Sequence, residues 1–116
     1  MPVLIIDDEQ DICFMLSNVL KAKLYKTVSV HNIKDAADWL SNNEPRFVFL
    51  DNNLPDGRGV DFLPEIKKLI PEIKIAMITA YDTQVDRTKA FNSGADDFIG
   101  KPFTRSSIYK TLDKFL

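Results

Sequence analysis

Five polar residues follow short apolar runs in this chain, and their types belong together chemically. Asp7 and Asp8 follow Val3-Leu4-Ile5-Ile6, Asp51 follows Phe47-Val48-Phe49-Leu50, Thr79 follows Ile75-Ala76-Met77-Ile78, and Lys101 follows Phe98-Ile99-Gly100. If the four runs are parallel strands, these residues share one edge of a sheet. Three carboxylates crowded there repel one another unless a cation lies among them, and hard oxygen donors suit Mg²⁺, or Mn²⁺ in its place. With the cation neutralising a phosphoryl donor, the Asp51 carboxylate is placed to attack phosphorus. Lys101 would pair with one phosphoryl oxygen and Thr79 would donate a hydrogen bond to another.

Positioning these residues requires strands that alternate with helices, and the periodicity alternates in this way five times. After the first run, Ile12, Met15, Leu16, Val19, Leu20 and Leu24 recur at helical spacing, with Asp8 or Asp11 as cap or first-turn acid. Thr27 to Val30 reads as a short β-branched strand, and Asn32 then caps a helix carrying Ala36, Ala37, Trp39 and Leu40 that ends at Asn42-Asn43-Glu44-Pro45. The turn-rich stretch Asn52 to Gly59 leads into a third helix with Phe62, Ile66, Leu69 and Ile70 on its face. Pro64 is compatible with that helix if it sits near the first turn. A strand from Ile73 to Ile78, a helix from Thr83 to Ser93 with Gly94 past its end, and a strand from Phe98 to Lys101 follow. Thr104 caps a last helix whose stripe is Ile108, Leu112 and Phe115.

Strict alternation implies right-handed crossovers and a parallel sheet covered on both faces, which also explains strands that read as continuous apolar runs. The expected class is doubly wound α/β, a five-stranded (βα)5 sheet. The strand order 2-1-3-4-5 is adopted from known sheets of this class rather than deduced. In that order ligands bind between strands one and three, which end in Asp7-Asp8 and Asp51.

Composition narrows the function. A chain of 116 residues is expected to form one domain, residues 1–116, burying about two thirds of its unfolded surface. Its 45% hydrophobic and 28% charged residues are those of a globular protein, and the apolar runs are too short to span a bilayer. Met1-Pro2 leads straight into a strand without a signal-like segment, so a cytosolic location is expected. A formal charge of -2 with mixed signs offers no basic stripe for nucleic acid. The single cysteine, Cys13, and single histidine, His31, make neither an internal disulfide nor a soft-metal site, and are read as structural.

Taken together, Asp7-Asp8, Asp51, Thr79 and Lys101-Pro102, with Leu54-Pro55-Asp56-Gly57 after the central acid, closely resemble the receiver domain of bacterial two-component response regulators. The resemblance spans essentially the whole chain in order and at ordinary spacings. It implies that Asp51 is phosphorylated by the phosphohistidine of a sensor histidine kinase or a phosphotransfer protein. It also implies a metal held by Asp8 directly, by Asp7 largely through water, by Asp51 and by the Asn53 backbone carbonyl. Phe98, three residues before the lysine, would change rotamer as Thr79 moves. Asn53 and Tyr81, each two residues beyond a site residue, would tune the lifetime of the phosphorylated state. Partners or a homodimer would meet the face made by the fourth helix, fifth strand and last helix, with Tyr81 and Phe98 on its exposed edge. Lys101-Pro102 is a candidate cis bond. Asp82 and Asp86 read as dipole and surface charges.

Other functions fit less well. A P-loop between Gly94 and Lys101 has one residue too many between its glycines, and Pro102 replaces the required hydroxyl. A flavodoxin-like carrier needs a hydroxyl- and glycine-rich phosphate loop where this chain has Asp7-Asp8-Glu9-Gln10-Asp11, and an aspartyl-phosphate hydrolase of the haloacid dehalogenase type needs an acid where Asn53 stands. The remaining alternative is a receiver-like binding module that signals through protein contacts without phosphorylation.

Overall fold

The apolar runs are the strands of one parallel sheet. In the computed structural model, which describes residues 1–116, β1 (Val3–Ile6), β2 (Thr27–Val30), β3 (Phe47–Asp51), β4 (Ile75–Thr79) and β5 (Asp97–Gly100) lie side by side in the order β2-β1-β3-β4-β5. The helices between and after them are α1 (Gln10–Ala22), α2 (Ile33–Asn42), α3 (Gly59–Leu69), α4 (Gln84–Asn92) and α5 (Arg105–Phe115). A separate two-residue hairpin pairs Asn53–Leu54 with Gly57–Arg58 between β3 and α3. The architecture and the adopted strand order are both borne out.

Both faces of the sheet are covered, so alternate residues of each central strand feed different cores. Leu4, Ile6, Val48, Leu50, Ile75 and Met77 pack beneath α2 and α3, joined by Ala90 of α4. Val3, Ile5, Phe47, Phe49, Ala76 and Ile78 pack beneath α1 and α5. This is why no strand of the central three alternates with polar residues. Each fully buried side chain of this kind contributes about 1.5–3 kcal/mol.

Several helix ends depart from the sequence expectation. At the start of α1, neither Asp8 nor Asp11 is the cap: Glu9 occupies that position without a side-chain cap bond, and Asp11 is a first-turn acid. Met15 is exposed, and Cys13 takes a buried place on that face. Leu24 is not on the stripe either. It follows the helix with φ 67°, while its N–H bonds to Lys21 O and that of Tyr25 to Leu20 O. That pair of bonds is a Schellman end, in which the left-handed residue is usually glycine. Pro64 lies sixth in α3, past the first turn, where it removes the bond to the Val60 carbonyl. The helix continues because Phe62, Leu63 and Ile66 are buried, and their combined contribution outweighs the roughly 3 kcal/mol that an interior proline costs.

The other ends follow expectation. Asn32 accepts from the Asp35 N–H, Thr104 and Ser107 form a reciprocal capping box, and Gly94 follows α4 with φ 113°. The β4 strand begins at Ile75 rather than Ile73, and β5 spans Asp97 to Gly100, so Lys101 lies just beyond it.

At their amino ends β4 and β5 are tied to neighbouring helices. Asp96 Oδ2 accepts from Lys67 Nζ of α3 at 2.8 Å and from the Ile75 N–H at 2.9 Å, while Lys67 also donates to Ile73 O. Asp97 accepts from Thr111 Oγ1 of α5 at 2.7 Å. No helix is long and apolar enough to cross a membrane.

Candidate functional site

Register brings the polar residues level. Ile6 pairs with Leu50, Asp51 with Ile78, and Thr79 with Gly100, so Asp7, Asp51, Thr79 and Lys101 all lie at the carboxyl edge of the sheet. Carboxylate oxygens of Asp7, Asp8 and Asp51 lie within 4.8 Å of one another. Lys101 Nζ enters this group at 2.9 Å from Asp7 Oδ2, 3.6 Å from Asp51 Oδ1 and 3.5 Å from Glu9 Oε1. Asp7 and Asp51 are buried, whereas Asp8 faces solvent.

Asp7 is held at nearly every polar atom. Its N–H donates to Val30 O, its Oδ1 accepts the Glu9 N–H at 2.9 Å, and its carbonyl meets both His31 Nδ1 and Cys13 Sγ. Its Oδ2 pairs with the Lys101 charge but makes no aligned hydrogen bond. A buried carboxylate oxygen without a hydrogen bond, beside two further carboxylates, is a donor set of hard oxygens that fits a divalent cation. The cluster is therefore compatible with a divalent metal site.

Charge crowding appears in the acidities. Burial, then the Asp7 charge, raises Asp51 to about 7 despite the opposing pull of Lys101. Burial raises Asp7 as well. For Lys101 burial acts downward, but pairing with the Asp7, Asp51 and Glu9 carboxylates prevails and its pKa ends above the ordinary lysine value.

Around this centre, the Thr79 hydroxyl accepts the Tyr81 N–H at 3.1 Å and the Thr79 carbonyl accepts the Lys101 N–H at 2.8 Å. The start of α3 closes directly on Asp51: a Cβ at Gly59 would stand 2.2 Å from the Asp51 carbonyl oxygen. Asn52 fastens the same turn, accepting the Gly59 N–H on its carbonyl and the Val60 N–H on Oδ1. The Lys101-Pro102 bond is cis.

The model of the response regulator receiver domain matches residues 3–113. The chain belongs to this family. Among solved structures, it is similar to the receiver domain of NtrX from Brucella abortus, with 31% identity, 98% of this chain and 97% of that one covered, and a TM-score of 0.91. It is also similar to a two-component response regulator from Clostridium difficile, with 26% identity, 99% and 94% covered, and a TM-score of 0.94. A third is a response regulator from Burkholderia pseudomallei containing a phosphorylated aspartic acid, a calcium ion and citrate. It has 25% identity, 96% of this chain and 65% of that one covered, and a TM-score of 0.89. Receiver domains act with histidine kinases or phosphotransfer proteins and are not enzymes in the usual sense.

Of the residues singled out in this receiver domain, Asp7, Asp8, Asp51 and Lys101 converge, and Thr79 stands at the adjacent strand end. Asn53 and Tyr81 are exposed nearby. Phe98 departs from expectation: it is 6% exposed rather than on a free edge, because its ring packs into the α3 side of the core beneath Arg87, whose guanidinium lies 4.9 Å from the ring centre. Asp82 is more than a surface charge, since it accepts from Arg87 Nε at 2.7 Å. Sequence reading missed Glu9, Asn52 and the turn-to-helix contact in which Asp56 accepts the N–H groups of Ile33 and Lys34. Glu9 carried a signal, as one more acid in a run. The Asp56 contact spans more than twenty residues and has no periodic trace.

Proposed function

We propose that residues 1–116 act as one phosphorylatable receiver unit in the cytosol, accepting a phosphoryl group on Asp51 from a sensor histidine kinase or phosphotransfer protein. The observation that carries this reading is Lys101 Nζ standing between the Asp7 and Asp51 carboxylates with the Asp8 carboxylate in reach. An Asp51 oxygen attacks phosphorus, its new O–P bond replaces the donor's N–P bond, and the departing imidazole keeps that electron pair and takes a proton. Asp7, Asp8, Asp51 and the Asn53 carbonyl would hold Mg²⁺, or Mn²⁺ in its place. When bound, this cation supplies the positive charge that keeps Asp51 ionised and neutralises phosphoryl oxygens.

Lys101 then exchanges its carboxylate partner for a phosphoryl oxygen. The Thr79 oxygen already accepts the Tyr81 N–H, so its own O–H is available to donate to another phosphoryl oxygen. Movement of Thr79 toward that oxygen, with a rotamer change of Phe98, would alter the α4–β5–α5 face that a partner or a second copy meets. Asn53 and Tyr81, exposed beside Asp51 and Thr79, would set the lifetime of the acyl phosphate; replacing either with alanine should change the dephosphorylation rate.

Incubation with Mg²⁺ and acetyl phosphate followed by intact-mass measurement tests the central step. One added phosphoryl group is expected on wild type and none on Asp51→Asn. No addition to wild type, or equal addition to both, removes the reading and returns the alternative of a phosphorylation-independent binding module.

A further inference from the structure

Two side chains distant in sequence converge on one backbone atom of the acidic rim. Cys13 of α1 and His31, just after β2, both reach the Asp7 carbonyl oxygen, at 3.3 and 3.0 Å, and stand 3.9 Å apart from each other. A carbonyl only accepts, so His31 carries its proton on Nδ1 in this contact and Cys13 is a thiol. Asp7 lies one residue beyond β1, where its N–H still reaches Val30 but its carbonyl has left the ladder. A carbonyl buried there needs a partner, and this chain supplies two.

The result is an almost complete fixation of Asp7. Its N–H, its carbonyl and its Oδ1 are each engaged, and Oδ2 alone remains directed toward Lys101 and the other acids. The Asp7 carbonyl also belongs to the peptide unit that leads into Asp8, so holding it restricts both carboxylates together. The geometry points to Cys13 and His31 as positioning residues for the cation of the acidic rim, acting through their shared hold on the Asp7 carbonyl. This inference rests on the reading that the rim takes a divalent cation. It assigns a function to two residues that composition alone marks as structural.

The effect of the hydrogen bonds is separable from that of packing. Cys13→Ser keeps a donor at the same place and Cys13→Ala removes it. Likewise His31→Asn puts an amide N–H where Nδ1 stood, whereas His31→Ala removes both ring and donor. His31 is only half-buried, so its variants fold even if α1 tolerates no change at Cys13. The measurement is calorimetric titration of the whole chain with Mg²⁺, accompanied by the Mg²⁺-dependent rise in unfolding midpoint.

The alanine variants are expected to bind Mg²⁺ about tenfold more weakly, as is usual when a group that orients a metal ligand is lost. The serine and asparagine variants should recover most of that affinity. Alanine variants that bind as wild type does, or donor-retaining variants that lose as much as alanine, overturn the positioning role while leaving the rim intact. A wild type with no Mg²⁺ affinity overturns both at once, so the two failures are distinguishable.

Discussion

Replacing Asp51 with asparagine should make the metal-free protein more stable, and by an amount that depends on pH. Asp51 is 2% exposed and its pKa rises from 3.8 to about 7 on folding. Below about pH 3 the group is neutral in both folded and unfolded chains and its ionisation costs nothing. Between about pH 3 and 7 the unfolded chain ionises while the folded one resists, so stability falls with rising pH. Above pH 7 both are ionised and the cost levels off at about 4 kcal/mol, from roughly three pK steps of 1.36 kcal/mol each. Asparagine keeps the shape without that charge. Urea unfolding in EDTA at pH 4, 5.5 and 8 reads the difference directly. With a slope near 2 kcal/mol per molar, the variant's midpoint should lie about 2 M above wild type at pH 8 and only about 0.3 M above it at pH 4. Added Mg²⁺ should narrow the gap, because it stabilises the wild type more. A difference independent of pH, or none at pH 8, would refute the argument that burial and mutual repulsion load this carboxylate.

Three other changes test separate parts of the structure. Leu24→Gly should stabilise by about 1 kcal/mol in the same unfolding assay, because it relieves a left-handed residue at the end of α1. Gly59→Ala should cost about 3 kcal/mol and abolish Mg²⁺ binding in a titration, since the new methyl meets the Asp51 carbonyl itself and not a flexible side chain. Arg87→Ala should cost about 1 kcal/mol in the same unfolding assay through loss of the cation–π contact over Phe98.

How much of this was legible beforehand follows from the range of the interactions. The strand ends were readable because a parallel sheet buried on both faces demands unbroken apolar runs, and the first polar residue after each run marks the rim. Asp7, Asp51, Thr79 and Lys101 are such residues. The caps Asn32 and Thr104 were readable because they act within three residues. Helix edges were less so: Met15 and Leu24 fit the apolar spacing, yet Met15 lies on the outer face of α1 and Leu24 in the turn after it. Phe98 was misplaced because its covering comes from Arg87, eleven positions away on α4, and no local pattern encodes that. The bonds from Cys13 and His31 to Asp7 were invisible for the same reason, each being set by tertiary approach.

The bonds of Asp96 and Asp97 give the sheet a mechanical asymmetry. Strands β4 and β5 are moored at their amino ends to α3 and α5 through Lys67 and Thr111, at the pole opposite the acids. If phosphorylation moves the carboxyl rim as proposed, these ties would leave the displacement largest at Thr79 and Lys101 and smallest near Ile75 and Asp97. A change at the rim would then be passed to the helices that flank it, with the opposite end of the sheet held in place.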